Sequence, residues 1–266
     1  MTRRTTSYLL LALAVLSAAA VIYFKCNSQT VTATRSNNQV ERVLFIGNSL
    51  TYVNDLPKTL SQIAQSLGDT VIYDMYAPGG YTLAQDAKDQ TALGKIASKP
   101  WDFVVLQEQS ELPALQDSLV NSEVIPYAIQ LDDDIHASWP KARTVFFETW
   151  GYQNGDTQYC PTNPTLCSYP LMQNQLTKSY GIMAQKTGGI IAPVGEAWRL
   201  VRNTHPEINL YADDRHPSVN GTYLAAAVIY MTLFKKDIAG ASPLALDKKT
   251  AAILQNAASQ TVLEQF

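Results

Sequence analysis

Two short stretches at opposite ends of the chain carry the residue types that nucleophilic catalysis needs. Gly47-Asn48-Ser49-Leu50-Thr51 follows the apolar run Val43-Leu44-Phe45-Ile46, and the single Asp-x-x-His-Pro of the chain runs from Asp213 to Pro217. A strand that ends in Gly-Asn-Ser leaves the serine hydroxyl at a carboxyl strand edge, where open α/β sheets place their ligands. Acyl transfer at such a serine needs a base, a group that fixes the tautomer of the base, and donors for the oxyanion. The chain has three histidines. His136 lies in a helical stretch and His205 in a loop before a proline, whereas His216 stands three residues after Asp213. One turn can then bring that carboxylate to the imidazole while the other ring nitrogen faces Ser49. Asp133 has the same spacing to His136, but inside a helix this reads as an ordinary surface contact.

Other polar and aromatic residues have two readings each. Glu108 and Glu148, at strand ends, are either substrate contacts or hydrogen-bonded structural carboxylates, with equal weight. Arg215 either pairs with Asp214 or meets an anionic substrate, and surface pairing is the safer expectation. Trp101, Trp139, Trp150 and Trp198 stand near element ends, which favours packing over a sugar platform. Trp150, next to a polar insertion, is the one to test for stacking on substrate. Gly47-Asn48-Ser49 lacks the lysine of a phosphate loop.

These residues need a scaffold, and the apolar pattern supplies one. Val43 to Ile46, Val71 to Tyr76, Phe103 to Leu106, Thr144 to Glu148 and Ile190 to Pro193 read as strands. Leu56 to Leu67, Leu83 to Ala97, Asn121 to Ser138 and Leu171 to Lys186 have helical spacing. Such alternation predicts a parallel sheet covered on both faces. Asp55 before Leu56-Pro57 and Ser218 before the stripe Tyr223, Leu224, Ala227, Val228, Met231 mark helix starts. A last helix follows Asp247. Residues 151 to 170 are polar and rich in turns, and form the longest irregular insertion.

With 266 residues and 46% hydrophobic content the chain can bury one substantial core, hence one catalytic domain. A formal charge of −3 without any basic run in the body excludes a nucleic-acid footprint. Arg3 and Arg4 precede an uncharged stretch, Thr5 to Phe24, that Lys25 ends, so residues 1–26 read as a signal peptide or an N-terminal membrane anchor. Ala18-Ala19-Ala20 resembles a cleavage site, but Val21 to Phe24 extends the run to about the length of a spanning helix, which favours a tether through residues 7–24. The arginines would keep that end inside and send the remainder to the periplasm or the exterior. Residues 27–40 read as a flexible linker and 41–266 as the catalytic domain. Cys160 and Cys167, in the turn-rich insertion, suggest a local disulfide of an oxidising compartment. No histidine lies near them to complete a metal site, and Cys26 reads as an incidental thiol.

With these residues in view, the chain resembles the SGNH, or GDSL-type, serine hydrolases from Glu41 to about Phe234. Gly47-Asn48-Ser49 matches the first sequence block, with Asn48 where Asp is usual, and Asp213-x-x-His216-Pro217 matches the last. The second block's glycine is most like Gly80, with Gly79 as the fallback. The third block normally supplies an asparagine; here Gln109 stands at the matching offset after Phe103 to Leu106, with Gln107 as the alternative. The resemblance implies a three-layer α/β/α, flavodoxin-like fold with a five-stranded parallel sheet ordered 2-1-3-4-5. It implies Ser49 as nucleophile, His216 as base, Asp213 as its orienting acid, and an oxyanion hole of the Ser49 and Gly80 N–H groups with the Gln109 amide. No cofactor or metal is implied. The expected activity is that of an exported esterase removing an acyl group, for instance acetyl, from a small-molecule or glycan ester of the cell envelope. An acyltransferase on the same scaffold, and a catalytically silent glycan-binding envelope protein, are the alternatives.

Overall fold

The computed structural model describes residues 38–263. The signal or anchor segment, Cys26 and nearly all of the linker lie outside these residues. Among the described residues no helix is long and apolar enough to cross a membrane.

Five apolar runs form the strands β1 (Val40–Ile46), β2 (Thr70–Tyr76), β3 (Phe103–Leu106), β4 (Arg143–Phe147) and β5 (Ile190–Ala192). All pair in parallel, in the order β2-β1-β3-β4-β5, as the resemblance implies. Ile46, the last residue of β1, lies opposite Tyr76 on one side and Leu106 on the other. The order of the chain reverses at β1, so a crevice opens beyond its carboxyl end. Strand residues alternate between two cores: Val43, Phe45, Phe103, Val105, Val145 and Phe147 enter one, while Leu44, Ile46, Val104, Leu106 and Phe146 enter the other. Both faces of the central strands β1, β3 and β4 are therefore dry along Val43–Ile46, Phe103–Leu106 and 144–147, which read as apolar runs, whereas the edge strand β2 leaves Ile72 and Tyr73 exposed and carries Asp74.

The helices are α1 (Ser49–Tyr52), α2 (Leu56–Ser66), α3 (Leu83–Asp86), α4 (Gln90–Ala97), α5 (Asp117–Glu123), α6 (Ile125–Ser138), α7 (Tyr169–Thr187), α8 (Val194–Thr204), α9 (Val219–Phe234) and α10 (Lys248–Leu263). The first core is closed by α2, α8, α9 and α10, and the second by α3 to α7. The starts at Asp55 and Ser218 are present: Asp55 accepts from Lys58 N at 3.3 Å and Ser218 Oγ from Gly221 N at 3.3 Å.

Two expected helices are each broken in two. Leu83 to Ala97 is interrupted because Asp89 caps a new start, its carboxylate accepting from Thr91 N at 2.7 Å and Ala92 N at 3.4 Å. Asn121 to Ser138 is interrupted at Val124, which ends one helix and opens the next; Pro126 lies in the first turn of the second, where its missing N–H cannot bond back to continue the first. Helix α8 and the single turn α1 are additions to the expected elements. The insertion is irregular through residue 168 apart from a short turn at Pro164–Leu166, and ends two residues earlier than expected because α7 already begins at Tyr169; Cys160 and Cys167 form the expected disulfide.

Candidate active site

The chain leaves β1 through Gly47, where a side chain is excluded: a Cβ would stand 2.6 Å from Gln107 Oε1 and 2.8 Å from Thr51 Oγ1. Asn48 then caps α1, its Oδ1 accepting from Leu50 N at 3.2 Å. The same side chain donates from Nδ2 to the Tyr81 carbonyl at 2.8 Å, tying the loop after β2 to this turn. An aspartate here would set a carboxylate oxygen against that carbonyl, which gives a reason for asparagine at this position. Gln107 backs the turn from the end of β3. Its Oε1 accepts from Asn48 N at 3.0 Å and Thr51 Oγ1 at 2.8 Å, and its Nε2 donates to Asn48 Oδ1 at 3.0 Å and to the Glu108 carbonyl. Both amide hydrogens are committed, so Gln107 has no donor to offer elsewhere.

Ser49 is the first residue of α1 and is partly exposed. Its Oγ lies 3.1 Å from His216 Nε2, and His216 Nδ1 lies 2.7 Å from Asp213 Oδ2. Asp213 also organises its own turn, Oδ1 accepting from Arg215 N at 2.9 Å and His216 N at 2.7 Å. Its partial burial favours the neutral acid, but the two backbone donors and the imidazole outweigh that and bring its pKa down to about 2. The carboxylate is thus charged throughout the neutral range, and a Nδ1–H proton on His216 has a fixed acceptor. Hydroxyl, imidazole and carboxylate form one line of hydrogen bonds that can move a proton from Ser49 Oγ to His216 Nε2.

The His216 turn is held from three sides. Trp150 Nε1 donates to the Arg215 carbonyl at 2.8 Å, Gln153 N to the Asp214 carbonyl at 2.8 Å, and Asn54 Nδ2 to the Pro217 carbonyl at 2.9 Å. Trp150 is 1% exposed and stacks on Trp198 with centroids 3.8 Å apart. It cannot be the sugar platform that its place beside the insertion suggested; its face is spent on the core and its N–H on the turn.

Gly80 stands on the loop that Asn48 anchors, and its N–H, like that of Ser49, meets no acceptor among the described residues. Gln109 follows β3, half-buried, with Oε1 accepting from Glu111 N at 2.7 Å and Leu112 N at 3.1 Å. Its Nε2 has only a long contact, 3.4 Å to Ser110 Oγ, among the described residues. Glu108 joins these two loops from beneath, since its Oε1 accepts from Leu83 N at 3.1 Å and Gln109 N at 2.6 Å.

Glu108 and Glu148 are both buried, the structural reading of each. Burial pushes both carboxyls up to about 8. Arg215 turns away from Asp214: Nη1 donates to Tyr152 Oη at 3.1 Å and lies 3.8 Å from Glu111 Oε1. His136 meets Asp132 rather than Asp133, and His205 meets Glu207. Among the described residues no cluster of three His, Cys, Asp or Glu side chains offers a ligand set for a metal.

No family model matches the sequence, and no curated protein matches it. Solved structures do. A DUF4886 family protein from Bacteroides uniformis superimposes with a TM-score of 0.74 at 18% identity, covering 85% of this chain and 96% of that one. A protein from Slackia heliotrinireducens, described as a candidate SGNH hydrolase, has a TM-score of 0.59 at 29% identity over 73% of this chain and 99% of its own. A catalytic mutant of an acetylxylan esterase from Geobacillus stearothermophilus has a TM-score of 0.50 at 21% identity, over 74% and 95% of the two chains. These neighbours bear out the likeness to SGNH/GDSL-type hydrolases and the three-layer α/β fold.

Proposed function

We propose that this chain, which has the SGNH/GDSL-type hydrolase fold, is a serine esterase that works through Ser49, His216 and Asp213. The observation that carries the reading is the line of contacts from Ser49 Oγ to His216 Nε2, 3.1 Å, and from His216 Nδ1 to Asp213 Oδ2, 2.7 Å, at the carboxyl edge of the sheet. As Ser49 Oγ attacks an ester carbonyl, its proton passes to His216 Nε2. The imidazolium, steadied by Asp213, returns that proton to the departing alcohol and leaves an acyl-serine. Water then repeats the sequence and frees the acid. The Ser49 and Gly80 N–H groups and the Gln109 amide serve as oxyanion donors, a role that their lack of close partners supports.

The acyl group, acetyl or another, is carried by a carbohydrate or other cell-envelope ester, and the enzyme works outside the cytoplasm. The Cys160–Cys167 disulfide supports an oxidising compartment, and the apolar segment between Arg4 and Lys25 supports export. The test is a series of p-nitrophenyl esters from acetate to long chains, given to the full chain. Hydrolysis falling steeply beyond acetate supports deacetylation, hydrolysis rising with chain length replaces it by a lipase, and no hydrolysis of any member refutes the esterase.

A further inference from the structure

The insertion between β4 and α7 borders, with the His216 turn, a half-open polar cavity of about 460 Å³. That volume is within the range of about 300–1,000 Å³ in which small-molecule sites fall. Its wall draws on three distant stretches: Glu111 after β3, Tyr152 and 155–159 in the insertion, and Asp214 with Arg215 beside Asp213 and His216.

The shape of the wall is fixed by its own bonds. Asp156 N donates to the Leu166 carbonyl at 2.7 Å, and Asp156 Oδ1 accepts from Gln158 N at 2.9 Å and Tyr159 N at 3.0 Å. Gly155 has φ +78, and a Cβ there would stand 2.6 Å from the Leu166 carbonyl oxygen. The disulfide braces the outer limb. Tyr152, 5% exposed, forms the floor, its hydroxyl joined to Glu111 Oε1 at 2.6 Å, Ser110 Oγ at 2.9 Å and Arg215 Nη1 at 3.1 Å.

What remains open on that wall is chemically particular. Among the described residues, Glu111 Oε2, Asp156 Oδ2, the Asp214 carboxylate and the second terminal nitrogen of Arg215 meet no protein partner. Tyr159 presents its ring and hydroxyl at the rim, 46% exposed. Carboxylates accept hydrogen bonds from paired hydroxyls, a guanidinium donates to them, and an aromatic face covers the C–H face of a ring. An acyl chain would strip water from these groups and give nothing back. Three carboxylates against one guanidinium also leave the wall negative, which repels an acidic ligand.

We propose that this cavity is the subsite for the alcohol side of the ester and that it takes a neutral saccharide. The inference rests on the serine-esterase reading for its place beside His216. A titration on the full chain carrying Ser49→Ala reads the cavity without any turnover. The probes are neutral tetrasaccharides of hexose, pentose and N-acetylhexosamine units, and a uronic acid tetrasaccharide. At least one neutral probe should bind, and the uronic acid probe at least about tenfold more weakly. Adding Tyr159→Ala or Asp214→Ala should weaken the neutral probe about tenfold, as loss of one stacked ring or one charged hydrogen-bond pair does. In the chain with Ser49 intact, Tyr159→Ala should lower kcat/KM on the acetylated saccharide at least about tenfold more than on p-nitrophenyl acetate, by raising KM. No binding of any neutral probe, equal binding of the uronic acid probe, or unchanged affinity in both variants overturns the proposal. Failure of the wild-type chain to hydrolyse p-nitrophenyl acetate refutes the esterase reading instead, and leaves the titration as the measure of the cavity.

Discussion

Asn54 Nδ2 donates to the Pro217 carbonyl at 2.9 Å, and the same amide lies 3.0 Å from Thr222 Oγ1, so the residue just past the Ser49 helix holds the turn that carries His216. Asn54 sits at φ 55, in the left-handed region that asparagine tolerates better than most side chains. Asn54→Gly keeps that backbone and removes only the amide. With two partly buried hydrogen bonds lost, stability should fall by about 1–3 kcal/mol, while kcat on p-nitrophenyl acetate falls about tenfold or more because Ser49 and His216 lose their common register. KM should stay near its original value. An unchanged kcat in the folded variant would show that the bond does not position the site.

The two glutamines that follow β3 should separate cleanly. Gln109→Glu keeps the Oε1 acceptor for Glu111 N and Leu112 N and removes the amide donor. Turnover should drop by about 10²–10³ with little change in melting temperature. Gln107→Ala strands Asn48 N and the Thr51 hydroxyl in the buried turn, and should destabilise the fold by about 2–4 kcal/mol. Melting curves read beside steady-state rates would contradict this if the two variants exchanged phenotypes.

Ser49, Asp213 and His216 were readable in the sequence because each sits in local chemistry that fixes it, a strand running into a capped turn or an Asp three residues before a His. The central strands were readable for a related reason: burial on both faces leaves no polar alternation to confuse, while the exposed edge strand β2 showed itself through Val71, Ile72, Tyr73, Met75 and Tyr76. Periodicity carried Leu83 to Ala97 through as one helix, although Asp89 ahead of Gln90-Thr91-Ala92 is a capping signal. Val194, Ala197, Trp198 and Val201 have helical spacing, hidden among the polar residues Glu196, Arg199, Arg202 and Asn203. Asn54, Gln107 and Trp150 were not legible. Their roles depend on partners 163, 59 and 65 residues away, and only the closed sheet brings them together.

Glu148 predicts a pH dependence of stability. Burial, reinforced by the neighbouring Glu196 charge and only partly offset by Thr177, Arg199 and Gln173, pushes its carboxyl from an ordinary 4.5 up to about 8. Between those values the folded chain holds a proton that the unfolded chain has released. The contribution of this group is therefore complete below about 4.5, declines as pH rises, and levels off above about 8. Glu148→Gln should flatten the fall of the urea midpoint between pH 5 and 8, measured at about half-unit steps. A slope equal to that of the wild-type chain would refute the assignment.

The Cys160–Cys167 bridge closes a short loop, with a sequence separation of 7. Loss of such a bridge costs about 2–3 kcal/mol on the chain-entropy account. Cys160→Ser/Cys167→Ser should melt several degrees below the parent chain, and reductant should lower the parent midpoint toward that of the variant. Identical midpoints with and without reductant would show that the loop is held without the bridge.

The central claim is that the Ser49 hydroxyl is activated by His216. A fluorophosphonate probe, read by intact mass and by peptide mapping on the full chain, tests it most directly. The account predicts one adduct, on Ser49, formed by the wild-type chain, absent in Ser49→Ala, and slowed by at least about 10³ in His216→Ala. An adduct of equal yield in Ser49→Ala, or labelling of His216→Ala at the wild-type rate, would contradict it.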